Sequence, residues 1–259
     1  MTGFRPASRM SHYYRRVTAA VILVHGLRTS ATMWRHQVAA LDARGIPTMA
    51  IDLPGHGGRL GERFTLEGAH RAIGDAVASA RESNVRPYLC GFSLGGYLAI
   101  DWAGAHRGAI SGLLAASCGT EPNRLGLGVW RVLARGIHAL PDRGRALNDF
   151  AVRTFVPPSG AADVLAGGVA LEVMDDVLRE LRPVKPTQSL ARIDVPVVFI
   201  NGQLDHFRLH ASRYLAATSH GRLVTMRRTT HMVSVVRPEE FTRILLEGYA
   251  EATTRSAVA

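Results

Sequence analysis

Residues 86–98 read Arg86-Pro87-Tyr88-Leu89-Cys90-Gly91-Phe92-Ser93-Leu94-Gly95-Gly96-Tyr97-Leu98, and the architecture can be built outward from this junction. RPYLCGF (86–92) is a short apolar run suited to a buried strand, and LGGYLAIDWAGAH (94–106) carries helical spacing. Gly91, Ser93 and Gly95 fall where strand gives way to helix, in a G-x-S-x-G pattern. Alone the pattern is moderately specific; the strand–turn–helix context is its confirming condition. So sharp a turn drives Ser93 into a strained backbone conformation, and side chains at 91 and 95 would collide with the neighbouring strand and helix. The Ser93 hydroxyl then stands above the carboxyl ends of the strands, where open α/β sheets bind ligands.

The flanking sequence repeats the alternation. Further strands are expected at 17–24, 46–52, 109–117, 195–201 and 222–226, and helices at 32–44, 66–82, 207–218 and 238–252. Strands alternating with helices imply parallel pairing through right-handed crossovers, with both faces covered. The fold class is therefore α/β, a mostly parallel central sheet flanked by helices, with its core in 17–118 and 190–252. Residues 119–190 differ, with helical stretches at 125–139, 143–153 and 161–182 punctuated by Pro141, Pro157, Pro158, Pro183 and Pro186. Such an insertion either caps one edge of the sheet or stands as a small second domain. We take the chain, 1–259, as a single domain with an inserted helical cap, preceded by a basic arm over 1–16.

Composition narrows the function classes. Apolar residues make up 47% of the 259 and charged residues 20%, which excludes disorder and collagen-like structure. No run of eighteen apolar residues occurs, so no transmembrane span and no stable membrane insertion are expected. The formal charge is +10, yet the arginines are scattered singly rather than striped among aromatics, so nucleic acid is not an expected partner. The charge does predict a mild attraction for anions. Cys90 and Cys118 cannot form a disulfide framework and read as buried thiols in a reducing compartment. The apolar run 17–24 leads into a glycine turn rather than a cleavage site, so a cytoplasmic location is expected.

In these residues and their spacing the chain resembles the α/β-hydrolase fold enzymes. A serine hydroxyl needs a base, and the family places a histidine after its last strand, a place filled here by His231 in Thr229-Thr230-His231-Met232. It places an acid after the preceding strand, where Asn201-Gly202-Gln203-Leu204-Asp205 offers Asp205 in the common G-x-x-D pattern. The order Ser93, Asp205, His231 is the family order. Asp205 has a competing reading as the N-cap of helix 207–218, and Glu121 is the fallback acid. The resemblance further implies an oxyanion hole from the backbone N–H groups of Leu94 and of Leu27, in His25-Gly26-Leu27-Arg28. Relatives more commonly carry a small residue where Arg28 stands. Arg28 either pairs with a surface carboxylate or points into the pocket and binds a substrate carboxylate. Asp52-Leu53-Pro54-Gly55-His56-Gly57 is a further landmark, read as structural. His25 and His56 lack further ligands at metal-binding spacing, so neither metal nor cofactor is expected.

The resemblance thus implies a serine hydrolase, cleaving a carboxylic ester, lactone or thioester through an acyl-Ser93 intermediate. The elbow is similar to those of small carboxylesterases, enol-lactonases and haloperoxidase-like members. A C–C bond hydrolase or lyase with the same triad is the alternative, and a non-catalytic ligand-binding member comes third. The expected partner is a small, moderately hydrophobic acyl substrate, since Leu127, Trp130, Ile137, Phe150 and Phe155 of the insertion either line a pocket or pack the insertion onto the sheet. The sequence carries no signal of oligomeric state.

Overall fold

A computed structural model describes residues 19–81 and 85–258. Among them six strands form one sheet: β1 (Val21–Val24), β2 (Thr48–Ile51), β3 (Tyr88–Phe92), β4 (Gly112–Ala116), β5 (Val197–Gly202) and β6 (Gly221–Met226). Their order is β2-β1-β3-β4-β5-β6, and every neighbouring pair is parallel. Leu23 of β1 is in register with Ala50 on one side and Cys90 on the other.

Period-two alternation builds two apolar layers. Ile22 and Val24 face one layer with Leu89 and Leu113, covered by α2 (Leu66–Ala80) and α3 (Leu94–Ala105). Val21 and Leu23 face the other with Cys90 and Leu114, covered by α1 (Arg35–Asp42) and α11 (Pro238–Val258). All four β1 residues are fully buried, which explains why this strand reads as continuous rather than alternating apolar sequence. Thr65 starts α2 by accepting the Gly68 N–H, and Ile73 and Val77 then fall on its buried face.

Between β4 and β5 lie α4 (Arg124–His138), α5 (Arg145–Phe155), α6 (Pro158–Ala166), α7 (Met174–Glu180) and α8 (Pro186–Leu190). Arg131 of α4 holds Asp175 of α7 through two bonds of 2.8 and 3.1 Å. The α6 carbonyl of Asp163 accepts the Thr32 hydroxyl at 2.6 Å, and Ser189 of α8 donates to Asp101 of α3 at 3.0 Å. After β5 come α9 (Ala211–Ala216) and α10 (Val233–Val236).

Several expected boundaries shift. The helix expected over 161–182 is two helices, because Gly167 and Gly168 interrupt it and Gly168 takes a left-handed φ of +78°. The helix expected over 207–218 is a short 3₁₀ turn at His206–Arg208 followed by α9. Helices α8 and α10 have too few residues to show a periodic pattern. The arm expected over 1–16 and the helix end expected at residue 82 lie outside the described residues. Among the described residues no helix is long and apolar enough to cross a membrane.

Candidate active site

The site begins with the turn between β3 and α3. Ser93 sits at φ 51°, ψ −114°, a strained conformation for a residue with a side chain, costing roughly 1–3 kcal/mol. Two glycines permit it. A Cβ on Gly91 would lie 2.3 Å from the Gly95 carbonyl oxygen, and one on Gly95 would lie 2.3 Å from the Val24 carbonyl oxygen. The collisions expected from the sequence are thus with α3 on one side and β1 on the other.

Three residues distant in sequence converge here. His231, in the loop after β6, places Nε2 3.0 Å from Ser93 Oγ. Its Nδ1 lies 3.1 and 3.2 Å from the two carboxylate oxygens of Asp205, in the loop after β5. A carboxylate only accepts, so Nδ1 carries the proton and Nε2 is free to accept the Ser93 hydroxyl. Ser117 donates to the His231 carbonyl at 2.8 Å, and the Phe92 and Phe207 rings lie 5.2 and 5.0 Å from the imidazole.

Asp205 is almost fully buried. Burial pushes its carboxyl pKa up, but the His231 ring N–H and the Phe207 backbone N–H outweigh that and hold it below the usual value. The competing reading of Asp205 as an N-cap proves compatible with the contact to the histidine: Oδ1 accepts the Phe207 N–H at 2.8 Å while the carboxylate faces His231. Glu121, the fallback, is turned elsewhere. Its carboxylate accepts the Thr187 hydroxyl at 2.6 Å, and its backbone N–H donates to His210.

Leu94 opens α3, where a first-turn N–H has no intrahelical acceptor. Among the described residues neither its N–H nor that of Leu27 has a hydrogen-bond partner, and both residues line the cavity over Ser93. The Leu27 turn is closed by Thr29, whose hydroxyl donates to the Gly26 carbonyl at 2.9 Å; just beyond it, Asp52 accepts the Ala31 N–H at 2.7 Å through one oxygen and the Gly58 N–H at 2.8 Å through the other. His25 is structural: Nε2 accepts the Leu53 N–H at 3.0 Å, so Nδ1 bears the proton shared with the Gly26 carbonyl at 2.7 Å. Burial, reinforced by nearby His56, lowers the His25 pKa to about 3. Burial likewise lowers that of His56 to about 4, and both rings stay neutral near pH 7. Among the described residues no group of three or more His, Cys, Asp or Glu is placed to hold a metal ion.

The cavity above Ser93 has a volume of about 550 Å³. Its apolar wall is Leu127 and Trp130 of α4 and Met174, Val177 and Leu178 of α7. The α7 residues were not singled out from the sequence, although 174, 177, 178 and 181 form a helical stripe that marks them. His206 also lines the cavity, its ring 5.8 Å from that of His231. Other residues of the expected apolar inventory do neither job assigned to them: Phe150 is 67% and Phe155 65% exposed. Among the described residues Arg28 forms no ion pair; it lines the Ser93 cavity and a second one beside it.

An apolar cavity over a hydroxyl–imidazole–carboxylate chain, carried at the carboxyl edge of a parallel sheet, defines a class of protein. The profile of the alpha/beta hydrolase family matches residues 21–244, and the chain belongs to that family. Esterase PIR7B of Oryza sativa subsp. japonica is 42% identical over 78 residues, a match spanning 29% of this chain and 29% of that protein. A carboxylesterase structure of the thaumarchaeon Nitrososphaera gargenis aligns at TM-score 0.75 and 15% identity, over 92% of each chain. The enol-lactonase of Burkholderia xenovorans aligns at TM-score 0.72 and 21% identity, over 90% of this chain and 92% of that one. At these identities the structural likeness speaks for the fold.

Proposed function

We propose that the protein is a serine hydrolase that cleaves a carboxylic ester, lactone or thioester through an acyl-Ser93 intermediate. His231 takes the Ser93 proton as the oxygen attacks the carbonyl carbon, and Asp205 holds the ring in the required tautomer and stabilises the imidazolium. The oxyanion collects the N–H groups of Leu27 and Leu94, a contribution typically worth about 10²–10³ in rate per donor. His231 then returns the proton to the leaving oxygen or sulfur, and a water activated by the same imidazole releases the acid. Helices α4–α8 serve as the cap, and the apolar wall suits a moderately hydrophobic acyl group.

The observation that carries this reading is the Ser93–His231–Asp205 chain, with contacts of 3.0 and 3.1 Å, opening into a cavity lined by Leu27 and Leu94, whose N–H groups have no partner among the described residues. The test is labelling by a fluorophosphonate probe together with hydrolysis of p-nitrophenyl butyrate. Wild type labels and turns over, and Ser93→Ala does neither while keeping its thermal midpoint. Equal labelling of Ser93→Ala would refute the assignment.

A further inference from the structure

Arg28 lies in a place and a state that the hydrolytic reading leaves unused. Its φ of 64° is left-handed, a conformation that glycine or asparagine adopts more cheaply than arginine. Its Nε is buried with no hydrogen-bond partner among the described residues, whereas buried donors in folded proteins are nearly always satisfied. Burial pulls the guanidinium pKa down and Asp149 pulls it up through space, with no direct pair between them; the group stays charged.

Its surroundings offer an anion rather than a protein partner the missing place. Arg28 and Met174 line both the cavity over Ser93 and a second one of about 310 Å³. Helix α4 runs along both: Leu127 and Trp130 line the first, Ala134, Arg135 and His138 the second. The carboxylates of the second cavity are already engaged. Asp175 is held by Arg131 and Arg179, with Arg135 at 3.7 Å, and Glu172 by Arg143 and by His138 at 3.1 Å. Glu121, the carboxylate on the first cavity, is bonded to Thr187 and sits just before the start of α4. The combined space is therefore acidic near the start of α4 and cationic toward its end.

Building on the hydrolase reading, we infer that the substrate carries a carboxylate remote from its scissile carbonyl, and that Arg28 receives it where the two cavities meet. Leu27 and Arg28 are consecutive, with Cα atoms about 3.8 Å apart, so the proposed oxyanion donor and the residue of the anion site leave the same turn. The guanidinium fork matches a carboxylate through paired N–H bonds. The substrate class is thus a half-ester or half-thioester of a dicarboxylic acid, or a lactone bearing a free carboxylate.

Binding tests this apart from turnover. In Ser93→Ala, calorimetry measures Kd for p-nitrophenyl hydrogen adipate and hydrogen suberate and for their neutral methyl esters. A charge-assisted bond predicts at least about ten-fold tighter binding of one free acid than of its methyl ester. Adding Arg28→Gly, or Arg28→Asn should the glycine variant fold poorly, brings that ratio to about one, because both residues accept the left-handed backbone and neither carries the charge. Arg28→Lys retains part of the preference as a point charge. Equal Kd values for acid and methyl ester in the Arg28 protein, absence of binding by both acids, or a preference that survives loss of the guanidinium overturns the inference. Failure of wild type to label with fluorophosphonate sinks the hydrolase reading instead and leaves the binding ratio standing.

Discussion

Replacing Asp205 by asparagine separates the chemistry of the site from its architecture. Asp205 Oδ1 accepts the Phe207 N–H at 2.8 Å, and the carboxylate also faces His231 Nδ1 at 3.1 and 3.2 Å. An asparagine of nearly the same shape keeps its carbonyl oxygen on Phe207, so the 3₁₀ turn survives. Its amide group then presents N–H toward Nδ1, which must become the acceptor. The ring proton moves to Nε2, facing Ser93, and the base can no longer take the hydroxyl proton. In the chymotrypsin template the same change of tautomer costs about 10⁴ in kcat, equivalent to roughly 5 kcal/mol of transition-state stabilisation. The folding cost is far smaller, about 1 kcal/mol for replacing a charge-assisted bond by a neutral one. The assay is kcat/KM for p-nitrophenyl butyrate beside a urea unfolding curve. A loss of activity below about ten-fold would refute the argument that the tautomer of His231 is set by Asp205. Glu121→Gln is the control. Glu121 is bonded to Thr187 rather than to His231, so this variant keeps kcat/KM within about two-fold, and a larger loss than in Asp205→Asn would reverse the choice of acid.

Two further outcomes follow from packing and burial. Gly95→Ala puts a methyl 2.3 Å from the Val24 carbonyl oxygen and 2.5 Å from that of His25; central-strand backbone has nowhere to retreat, so urea unfolding should show a loss of about 3 kcal/mol or more, and a loss under about 1 kcal/mol would contradict the geometry. Acidification weakens the fold before the carboxylates titrate. The His25 and His56 pKa values fall to about 3 and about 4 in the folded chain, so between about pH 6.5 and those values only the unfolded chain takes up the protons. Stability is retained above pH 6.5 and declines as pH drops, by up to about 1.4 kcal/mol per unit for each ring, and a urea midpoint unchanged between about pH 6 and 4.5 would contradict neutral burial of these histidines.

What the sequence revealed tracks how local each physical constraint is. The elbow was legible because Gly91 and Gly95 are demanded by backbone approach within one turn, and Asp205 because its loop directly follows a strand of buried apolar residues. The helix boundaries between β4 and β5 were less so. A pair of glycines at 167 and 168 breaks a pattern whose apolar spacing runs straight through it. The inventory of apolar side chains in that region also misled, since Phe150 and Phe155 face outward while the α7 residues Met174, Val177 and Leu178 line the cavity. Which face of a helix looks inward depends on its rotation against distant partners, here the Arg131–Asp175 bond between α4 and α7, and that is not written in either segment alone. Sequence alone leaves Arg28 between a surface pair and the pocket, because pairing depends on which carboxylates the fold brings within reach of it.

The carboxylate of Asp52 ties the Ala31 amide to the Gly58 amide, yoking two stretches that are remote along the chain. Drift in the loop after β2 therefore reaches the stretch around Ala31, four residues beyond Leu27, without altering a single residue of the cavity wall. On the proposed function, a change near Gly58 acts on turnover through this tie even where the residues around the substrate are the same.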